Sequence, residues 1–299
     1  MIIKPDFLQK GNLVAIVSPA GPIHMSYISK ALQILESWGL RVVLGKHISN
    51  SWQAFAGTDE ERTADFQEAL TNPEVRAVFC ARGGYGSVRI LPNLDFSPFF
   101  QFPKWIVGFS DITVFHSFLH TCSIASVHAA MPINFEQVSP VSLESLRNVL
   151  FGQDAAIQFD ASKYNRNGST QAQLVGGNLS VLFSLRGMSY EPNYEGKILC
   201  IEDLNEYDYH IDRMIQNFKL SGVLSHISGL VVGRFSNIMK GTNPFSKSVE
   251  NIIFDAVSEY TFPVCFDAPF GHKEENRALI FGDKYELLCE EEKVTLRNM

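Results

Sequence analysis

The first half of the chain alternates between short apolar runs and segments with helical spacing, and this alternation narrows the possible folds more than any other feature. The apolar runs are flanked by glycine or proline, and they cover residues 13–18, 41–44, 75–81 and 105–109. Between them, apolar side chains recur every three or four residues, as at Ile28, Leu32 and Leu35. Strand–helix alternation of this kind predicts a parallel sheet with helices on both faces.

The second half begins with a change of composition. Residues 152–173 are rich in Asp, Ser, Asn, Gly and Gln and lose the apolar spacing, which predicts a linker between domains. Residues 174–299 return to strand and helix patterns, but their last four apolar runs follow one another without helices. We therefore expect an α/β protein with an N-terminal parallel-sheet domain over residues 1–151. A smaller, mixed α/β domain with a β-rich end should follow over residues 174–299.

The charge balance and the cysteines limit the possible functions. With 25 Lys and Arg against 32 Asp and Glu, the net charge is −7, which argues against nucleic acid as a partner. The five cysteines form no C-x-x-C pair, so we expect buried, reduced thiols and no zinc site. Residues 1–6 do not have the charged and apolar pattern of a secretion signal, and no apolar run approaches the ~18 residues that span a bilayer. These features predict a cytoplasmic protein with no membrane partner.

Three short segments, each just after a strand-like run, carry the groups of a catalytic triad. They are Gly108-Phe109-Ser110-Asp111, Ile201-Glu202-Asp203-Leu204 and Phe270-Gly271-His272. Together they supply a hydroxyl, a carboxylate and an imidazole, which can form a nucleophile, a base and the group that polarises the base. The set predicts a serine hydrolase.

Ser110 lies between a predicted strand and a predicted helix, which is where a nucleophile on a strand–turn–helix elbow lies. Gly108 permits a tight turn, and the backbone N–H of Asp111 at the start of the next helix could bind an oxyanion. Ile112 stands where the α/β-hydrolase elbow has glycine. By itself the G-x-S pattern equally describes a serine that begins a helix.

Taken alone, neither Glu202 nor His272 indicates a catalytic site, because an acidic pair after a strand or a histidine in a loop usually has a structural role. The alternation along a strand places Glu202 and Asp203 on opposite faces, so that one could orient a histidine. His116 and His120 have the i, i+4 spacing of a metal pair, but no third ligand accompanies them, so we predict neither a metal nor a cofactor. His128 is a candidate lining residue with no assigned role.

The loop Arg82-Gly83-Gly84-Tyr85-Gly86 brings glycines to the end of a strand, where backbone approaches a ligand closely. A phosphate cradle is one interpretation, but neither G-x-G-x-x-G nor the Walker pattern is present. A second oxyanion donor, the N–H of Gly84, fits better with Ser110 on a nearby strand.

Taken together, the chain resembles the LD-carboxypeptidases, serine peptidases that include murein tetrapeptide carboxypeptidase and the microcin C self-immunity peptidases. The resemblance covers nearly the whole chain. Besides the segments above, it rests on Ser18-Pro19-Ala20-Gly21, Gly176-Gly177-Asn178-Leu179 and Tyr209-His210-Ile211-Asp212-Arg213. One departure is Arg186-Gly187-Met188, where the family pattern has Gly-Thr after a helix.

The resemblance implies roles for the site residues. Ser110 would be the nucleophile, His272 the general base and Glu202 its partner, with the N–H groups of Gly84 and Asp111 as the oxyanion hole. It also implies a cytoplasmic homodimer that releases terminal D-alanine from murein tetrapeptides in cell-wall recycling.

A carboxypeptidase must also bind a free carboxylate, and several cations are candidates for this task. They are Arg82, Arg213, Arg234, Lys273 and Arg277, with Tyr85 as a further substrate contact. The alternative function is cleavage of a peptidyl-nucleotide amide, which would need an aromatic pocket from residues such as Trp52, Phe55 and Tyr85. A non-catalytic ligand-binding protein is the alternative of another class, against which the missing signal sequence argues.

Overall fold

The computed structural model describes residues 2–242 and 247–299, and within them thirteen strands and ten α-helices form an α/β fold. The strands are β1 (Leu13–Val17), β2 (Arg41–Leu44), β3 (Val75–Cys80), β4 (Trp105–Gly108), β5 (Ser126–His128), β6 (Ile157–Asp160), β7 (Gly168–Asn178), β8 (Ile198–Leu204), β9 (Gly229–Ser236), β10 (Val264–Cys265), β11 (Leu279–Phe281), β12 (Lys284–Cys289) and β13 (Lys293–Asn298). The helices are α1 (Met25–Ser37), α2 (Asp59–Thr71), α3 (Ser87–Ile90), α4 (Ser97–Gln101), α5 (Thr113–Thr121), α6 (Pro140–Leu150), α7 (Leu179–Ser184), α8 (Asp208–Leu220), α9 (Val223–His226) and α10 (Val249–Ala256). Among these helices, none has the length and apolar character to cross a bilayer.

The first sheet has the strand order β11-β5-β4-β3-β1-β2. Its five N-terminal strands are parallel, as the strand–helix alternation predicts. The edge strand β11 comes from the last part of the chain and pairs antiparallel with β5, with Leu279 opposite His128. The β-rich end of the chain therefore contributes to both sheets, and not only to the C-terminal domain assigned from the sequence.

Alternate side chains of the first sheet face two different cores. Val14 and Ile16 of β1 belong to a cluster with α1 and α6. Ala15 and Val17 belong to a second cluster with α2 and α5. Because successive strand residues point to opposite faces, this division confirms that helices cover both sides of the sheet.

The second sheet has the order β10-β9-β8-β7-β12-β13-β6 and is half parallel, half antiparallel. The long strand β7 joins the halves, since residues 168–173 pair antiparallel with β12 and residues 174–178 pair parallel with β8. Segment 152–173, expected to be a linker, thus holds β6 and half of β7. Its polar composition fits strands at a solvated sheet edge as well as it fits a loop. The domain bounds 1–151 and 174–299 stay a prediction.

The two sheets meet where β7 ends beside the start of α5. Gly177 lies so close to Thr113 that a Cβ added there would be 2.4 Å from the Thr113 hydroxyl oxygen. That hydroxyl accepts a hydrogen bond of 3.0 Å from the N–H of Asn178, and Asn178 is the register partner of Glu202 on β8. This contact brings the carboxyl end of β8 to the helix that follows Ser110.

Candidate active site

Ser110 sits on a strained turn between β4 and α5. Phe109 is extended, Ser110 has φ of 64°, and a 3-10 turn over Ser110–Ile112 leads into α5. A non-glycine residue in this region costs about 1–3 kcal/mol and persists where its surroundings hold it. A Cβ on Gly108 would lie 2.8 Å from a side-chain carbon of Ile112. Because Gly108 has no side chain, there is room beside it for Ile112. This explains how isoleucine is accommodated at the position where the α/β-hydrolase elbow has glycine.

A buried histidine fixes the strand end before the turn. His116 Nε2 lies 2.8 Å from the carbonyl of Gly108, and its Nδ1 lies 2.8 Å from the hydroxyl of Ser126. Since a carbonyl accepts, Nε2 carries the proton and Nδ1 accepts from Ser126. Burial lowers the pKa of His116 to about 4, so the ring is neutral. His120 instead contacts the Asn193 carbonyl at 3.3 Å, so the two histidines serve different partners.

His272 and Glu202 form the ionisable pair of the site. Glu202 is fully buried near the end of β8, and its Oε2 lies 2.6 Å from Nδ1 of His272. The carboxylate accepts this bond, so Nδ1 donates and Nε2 is left for other chemistry. The Ser236 hydroxyl donates to the His272 carbonyl at 3.0 Å, which fixes the backbone of the loop.

The loop before His272 requires glycine for two reasons. Gly271 has φ of 110°, which disfavours any side chain. A Cβ there would also lie 3.0 Å from Oε2 of Glu202. Its N–H donates to the Asn276 side-chain oxygen at 3.1 Å. The sequence places glycine here because the carboxylate occupies the space beside it.

The charge on Glu202 favours protonated His272. Burial lowers the pKa of His272, but the negative charge and hydrogen bond of Glu202, aided by Asp203, outweigh it and raise the pKa above its usual value. The second oxygen of Glu202, Oε1, is buried and has no hydrogen-bond partner among the described residues. The carboxylate therefore acts mainly on the imidazole.

Asp203 binds different groups from those that Glu202 binds. Its carboxylate accepts from the Asn178 side chain at 2.9 Å and from the N–H of Ser180 at 2.8 Å, which ties β8 to the start of α7. Burial and the charge of Glu202 raise its pKa to about 7, although these donors oppose the shift. The neighbouring carboxylates thus have different partners, as expected from their opposite orientation on a strand.

The structure brings His272 beside the Ser110 turn. The ring centroids of His272 and Phe109 are 4.6 Å apart. Within residues 2–242 and 247–299, no direct hydrogen bond joins the Ser110 hydroxyl to His272. Catalytic contacts of this kind often tighten only when substrate is bound.

A cavity of about 330 Å³ opens at His272. It is lined by Phe109, Asn134, Gln137, Val138, His272, Lys273, Glu274 and Asn276. No motif in the sequence distinguished Asn134, Gln137 or Asn276 from the other amide side chains of the chain. Lys273 and Glu274 could be predicted to lie near the site only because they directly follow His272 in the sequence.

The glycine loop over residues 82–86 lies against Ser110. A Cβ on Gly83 would be 3.0 Å from the Ser110 Cβ, 3.1 Å from the Ser110 hydroxyl oxygen and 3.4 Å from the backbone nitrogen of Asp111. The N–H of Gly84 has no hydrogen-bond acceptor among the described residues. Two backbone segments therefore converge on Ser110, an arrangement able to bind an oxyanion.

Gly83→Ala is expected to lower kcat about 10- to 100-fold, because the new methyl group pushes the Ser110 side chain and misalignment of this size is costly. The matched control is Gly229→Ala, where a Cβ meets Thr170 at the same 3.0 Å away from the site. Steady-state kinetics and thermal melts of both variants distinguish the effects. Equal loss of activity in the two variants would contradict a special role for Gly83.

The candidate cations are distributed around the molecule, and Lys273 is the candidate that lines the His272 cavity. Arg82 donates to the Pro22 carbonyl at 2.9 Å. Arg213 lies over the ring of Tyr209 on α8, with 5.5 Å to the ring centroid. Arg234 is paired with Asp267 at 2.6 Å and shares a different cavity with Arg277. Tyr85 is exposed on the loop beside Gly84.

Known proteins resemble this chain over nearly its full length. Residues 14–129 match the LD-carboxypeptidase N-terminal domain and residues 171–287 match the LD-carboxypeptidase C-terminal domain. A probable murein peptide carboxypeptidase of Bacillus subtilis is 34% identical over 287 residues, which cover 94% of this chain and 90% of that protein. The microcin C7 self-immunity protein MccF of Escherichia coli is 25% identical over 263 residues, 76% of each protein.

Solved structures agree with this relationship. The crystal structure of muramoyltetrapeptide carboxypeptidase from Oxalobacter formigenes matches with a TM-score of 0.87 at 29% identity and covers 96% of this chain and 98% of that chain. The shared fold and the two domain matches lead to one conclusion: this protein belongs to the LD-carboxypeptidase family of peptidases.

Proposed function

We propose that this protein is a serine LD-carboxypeptidase that hydrolyses the L,D-peptide bond before the terminal D-alanine of murein tetrapeptides, with or without their muramoyl sugar. The observation that carries the proposal is the buried Glu202–His272 pair, 2.6 Å apart, beside the strained turn of Ser110. The test is release of D-alanine from a synthetic tetrapeptide, followed by mass spectrometry. A folded, pure enzyme that releases none would overturn it.

In the acylation step, His272 Nε2 takes the proton of the Ser110 hydroxyl as the oxygen attacks the carbonyl carbon of the L-centre. The carbonyl oxygen becomes an oxyanion between the N–H groups of Gly84 and Asp111, where each donor contributes about 3–4 kcal/mol. Glu202 stabilises the imidazolium that forms. The C–N bond then breaks, and His272 returns the proton to the nitrogen of the leaving D-alanine.

In the deacylation step, water replaces D-alanine beside His272. His272 takes a proton from this water, whose oxygen attacks the ester carbonyl of the acyl-enzyme. The same N–H groups stabilise the second oxyanion. The C–O bond to Ser110 breaks, the serine recovers its proton from His272, and the tripeptide leaves with a new carboxylate.

Lys273 is the proposed partner of the terminal carboxylate of D-alanine, because it lines the cavity that contains the proton donor for the leaving group. We expect Lys273→Ala to raise KM about 10-fold or more with kcat changed less than about threefold, since the lost charge-assisted bond acts on ground and transition states alike.

Two comparisons test this assignment of Lys273. Lys293→Ala, an exposed lysine on β13, should leave KM unchanged. A substrate ending in D-alanine amide should show no difference between wild type and Lys273→Ala. An unchanged KM in Lys273→Ala with the free acid would refute the assignment.

Cleavage of a peptidyl-nucleotide amide is the second candidate. It is supported by the similarity to MccF and by the exposed aromatic side chains of Trp52 and Tyr85 near the glycine loop. Turnover of a murein tetrapeptide and of a peptidyl-nucleotide amide, measured side by side, separates the two. Labelling of Ser110 by a fluorophosphonate probe would argue against a binding protein without catalysis.

The family resemblance also supports a homodimer that acts in the cytoplasm. Light scattering of the purified protein tests the assembly, since the protomer mass is 33.5 kDa and a dimer has twice this value. A single species at the protomer mass, at micromolar concentration, would exclude a stable dimer.

A further inference from the structure

An aromatic surface that the mechanism does not use lies beside the glycine loop. The side chains of Trp52 and Tyr85 are 45% and 55% exposed. The ring centroid of Phe55, a buried residue, is 6.3 Å from that of Trp52 and 5.7 Å from that of Tyr85. We call Trp52, Phe55 and Tyr85 the aromatic platform. Exposed aromatic rings grouped in this way mark binding surfaces more often than isolated ones do.

A buried arginine fixes the platform to the site. The guanidinium of Arg62 donates to the carbonyls of Pro19 and Gly86 and lies over the Phe55 ring, 4.8 Å from its centroid. Trp52 and Phe55 also exchange backbone hydrogen bonds of 2.9 and 3.0 Å. These contacts fix the Phe55 ring and the backbone that carries Trp52 before any ligand arrives, which lowers the entropy cost of binding.

The platform begins within reach of the reacting bond. Gly83 lies against Ser110, and Tyr85 is two residues further on, about 7 Å along the backbone. The acyl part of a tetrapeptide has three residues and spans about 10 Å when extended. A peptide of this length that extends from Ser110 along the glycine loop would carry the group attached before it to the exposed rings of Tyr85 and Trp52.

We propose that the aromatic platform binds the sugar ring of a muramoyl peptide, an inference that rests on the proposed function. The C–H face of a pyranose packs on an aromatic ring, and the Trp N–H and Tyr O–H can bond to sugar hydroxyls. The paired side chains of Arg89 and Asp59 add polar groups beside Phe55, with Arg89 5.5 Å from its centroid. This mixture of ring faces and hydrogen-bonding groups suits a saccharide better than a flat nucleobase.

The test measures binding without turnover. Ser110→Ala protein is titrated with three ligands: a free murein tetrapeptide, the same peptide on N-acetylmuramic acid, and a peptidyl-nucleotide amide. Trp52 is 45% exposed whereas Trp38 and Trp105 are 9% and 0% exposed, so ligand-induced quenching of tryptophan fluorescence reports on Trp52. Calorimetry gives the affinities independently of fluorescence.

We expect a loss of affinity that is specific to the ligand that carries the sugar. Adding Trp52→Ala should weaken binding of the muramoyl peptide about 10-fold and change binding of the free peptide less than twofold. Trp52→Tyr, which keeps a ring, should lose less than about threefold and guards against misfolding of the alanine variant. Phe102→Ala removes an aromatic side chain that is 54% exposed elsewhere and should have no effect.

Other outcomes overturn the inference. The platform does not bind the sugar if Trp52→Ala weakens the binding of sugar-bearing and free peptides equally, or weakens neither. The same conclusion follows if only the nucleotide ligand loses affinity. Wild-type turnover is measured in parallel. If wild type releases no D-alanine while the selective binding loss is observed, the proposed reaction fails and the sugar site stands.

Discussion

Ser110→Ala is expected to lower the rate of D-alanine release by about 10⁴- to 10⁶-fold, because in the proposed mechanism this residue supplies the oxygen that forms the acyl-enzyme. The fold should survive, since alanine keeps the Cβ and loses a hydroxyl that makes no hydrogen bond within the described residues. Release is measured by mass spectrometry, and folding by circular dichroism and thermal melting.

Ser123→Ala is the matched control for this variant. Ser123 is an exposed serine with φ of 59°, close to the 64° of Ser110, but it lies before β5 and away from the site. Both substitutions change a serine in left-handed backbone, so effects on stability should be similar. Substantial turnover by Ser110→Ala, or equal inactivation of the two variants, would exclude Ser110 as the nucleophile.

Glu202→Gln is expected to lower kcat/KM by about 10²- to 10⁴-fold. The glutamine keeps the shape of the side chain but removes the charge that, in the proposed mechanism, stabilises the imidazolium, as the carboxylate of a catalytic triad does. Because Glu202 is fully buried, no solvent ion compensates for the loss.

The same substitution should move the pH profile. The proposed mechanism requires neutral His272 as the base, so kcat/KM should rise with pH through the pKa of His272. In the wild type this pKa lies above its usual value because of Glu202, which outweighs burial. In Glu202→Gln burial remains and the charge is gone, so the rising limb should shift to lower pH.

The control for Glu202→Gln is Glu206→Gln. Glu206 also pairs with a histidine, His210, at 3.1 Å, but this pair is partly exposed and lies after the end of β8. It should change neither the rate nor the pH profile. The role assigned to the carboxylate would be refuted if Glu202→Gln keeps the rising limb of the kcat/KM pH profile at its wild-type position and a rate within threefold of wild type.

Local patterns were sufficient for much of the fold. The spacing of Ile28, Leu32 and Leu35 predicted α1, and the helix forms because this stripe packs on the sheet. Thr58 and Glu61 have the three-residue spacing that is typical of a capping box, and both reciprocal bonds are present at the start of α2. Such signals are readable because the interacting residues are three or four positions apart.

Long-range pairing was less predictable. The segment 152–173 reads as a linker, yet β6 and part of β7 lie in it, because their hydrogen bonds go to β13 and β12 near the end of the chain. Likewise β11 joins the first sheet through β5. Partners more than a hundred residues apart leave no periodic trace in either segment.

By itself, the sequence predicted the chemical groups of the candidate site from strand-like runs: the hydroxyl of Ser110, the carboxylate of Glu202 and the imidazole of His272. In the structure Ser110 follows β4 and Glu202 lies in β8, whereas His272 lies in a loop seven residues after the end of β10. A strand pattern followed by a turn is local, so its carboxyl end can be located from one segment alone. The tertiary structure decided which groups meet. It joined His272 to Glu202 and placed Gly83 against Ser110. It also left Lys273, and not Arg82, Arg213 or Arg234, at the His272 cavity. These choices depend on how two sheets pack, and packing is set by contacts between side chains distant in sequence.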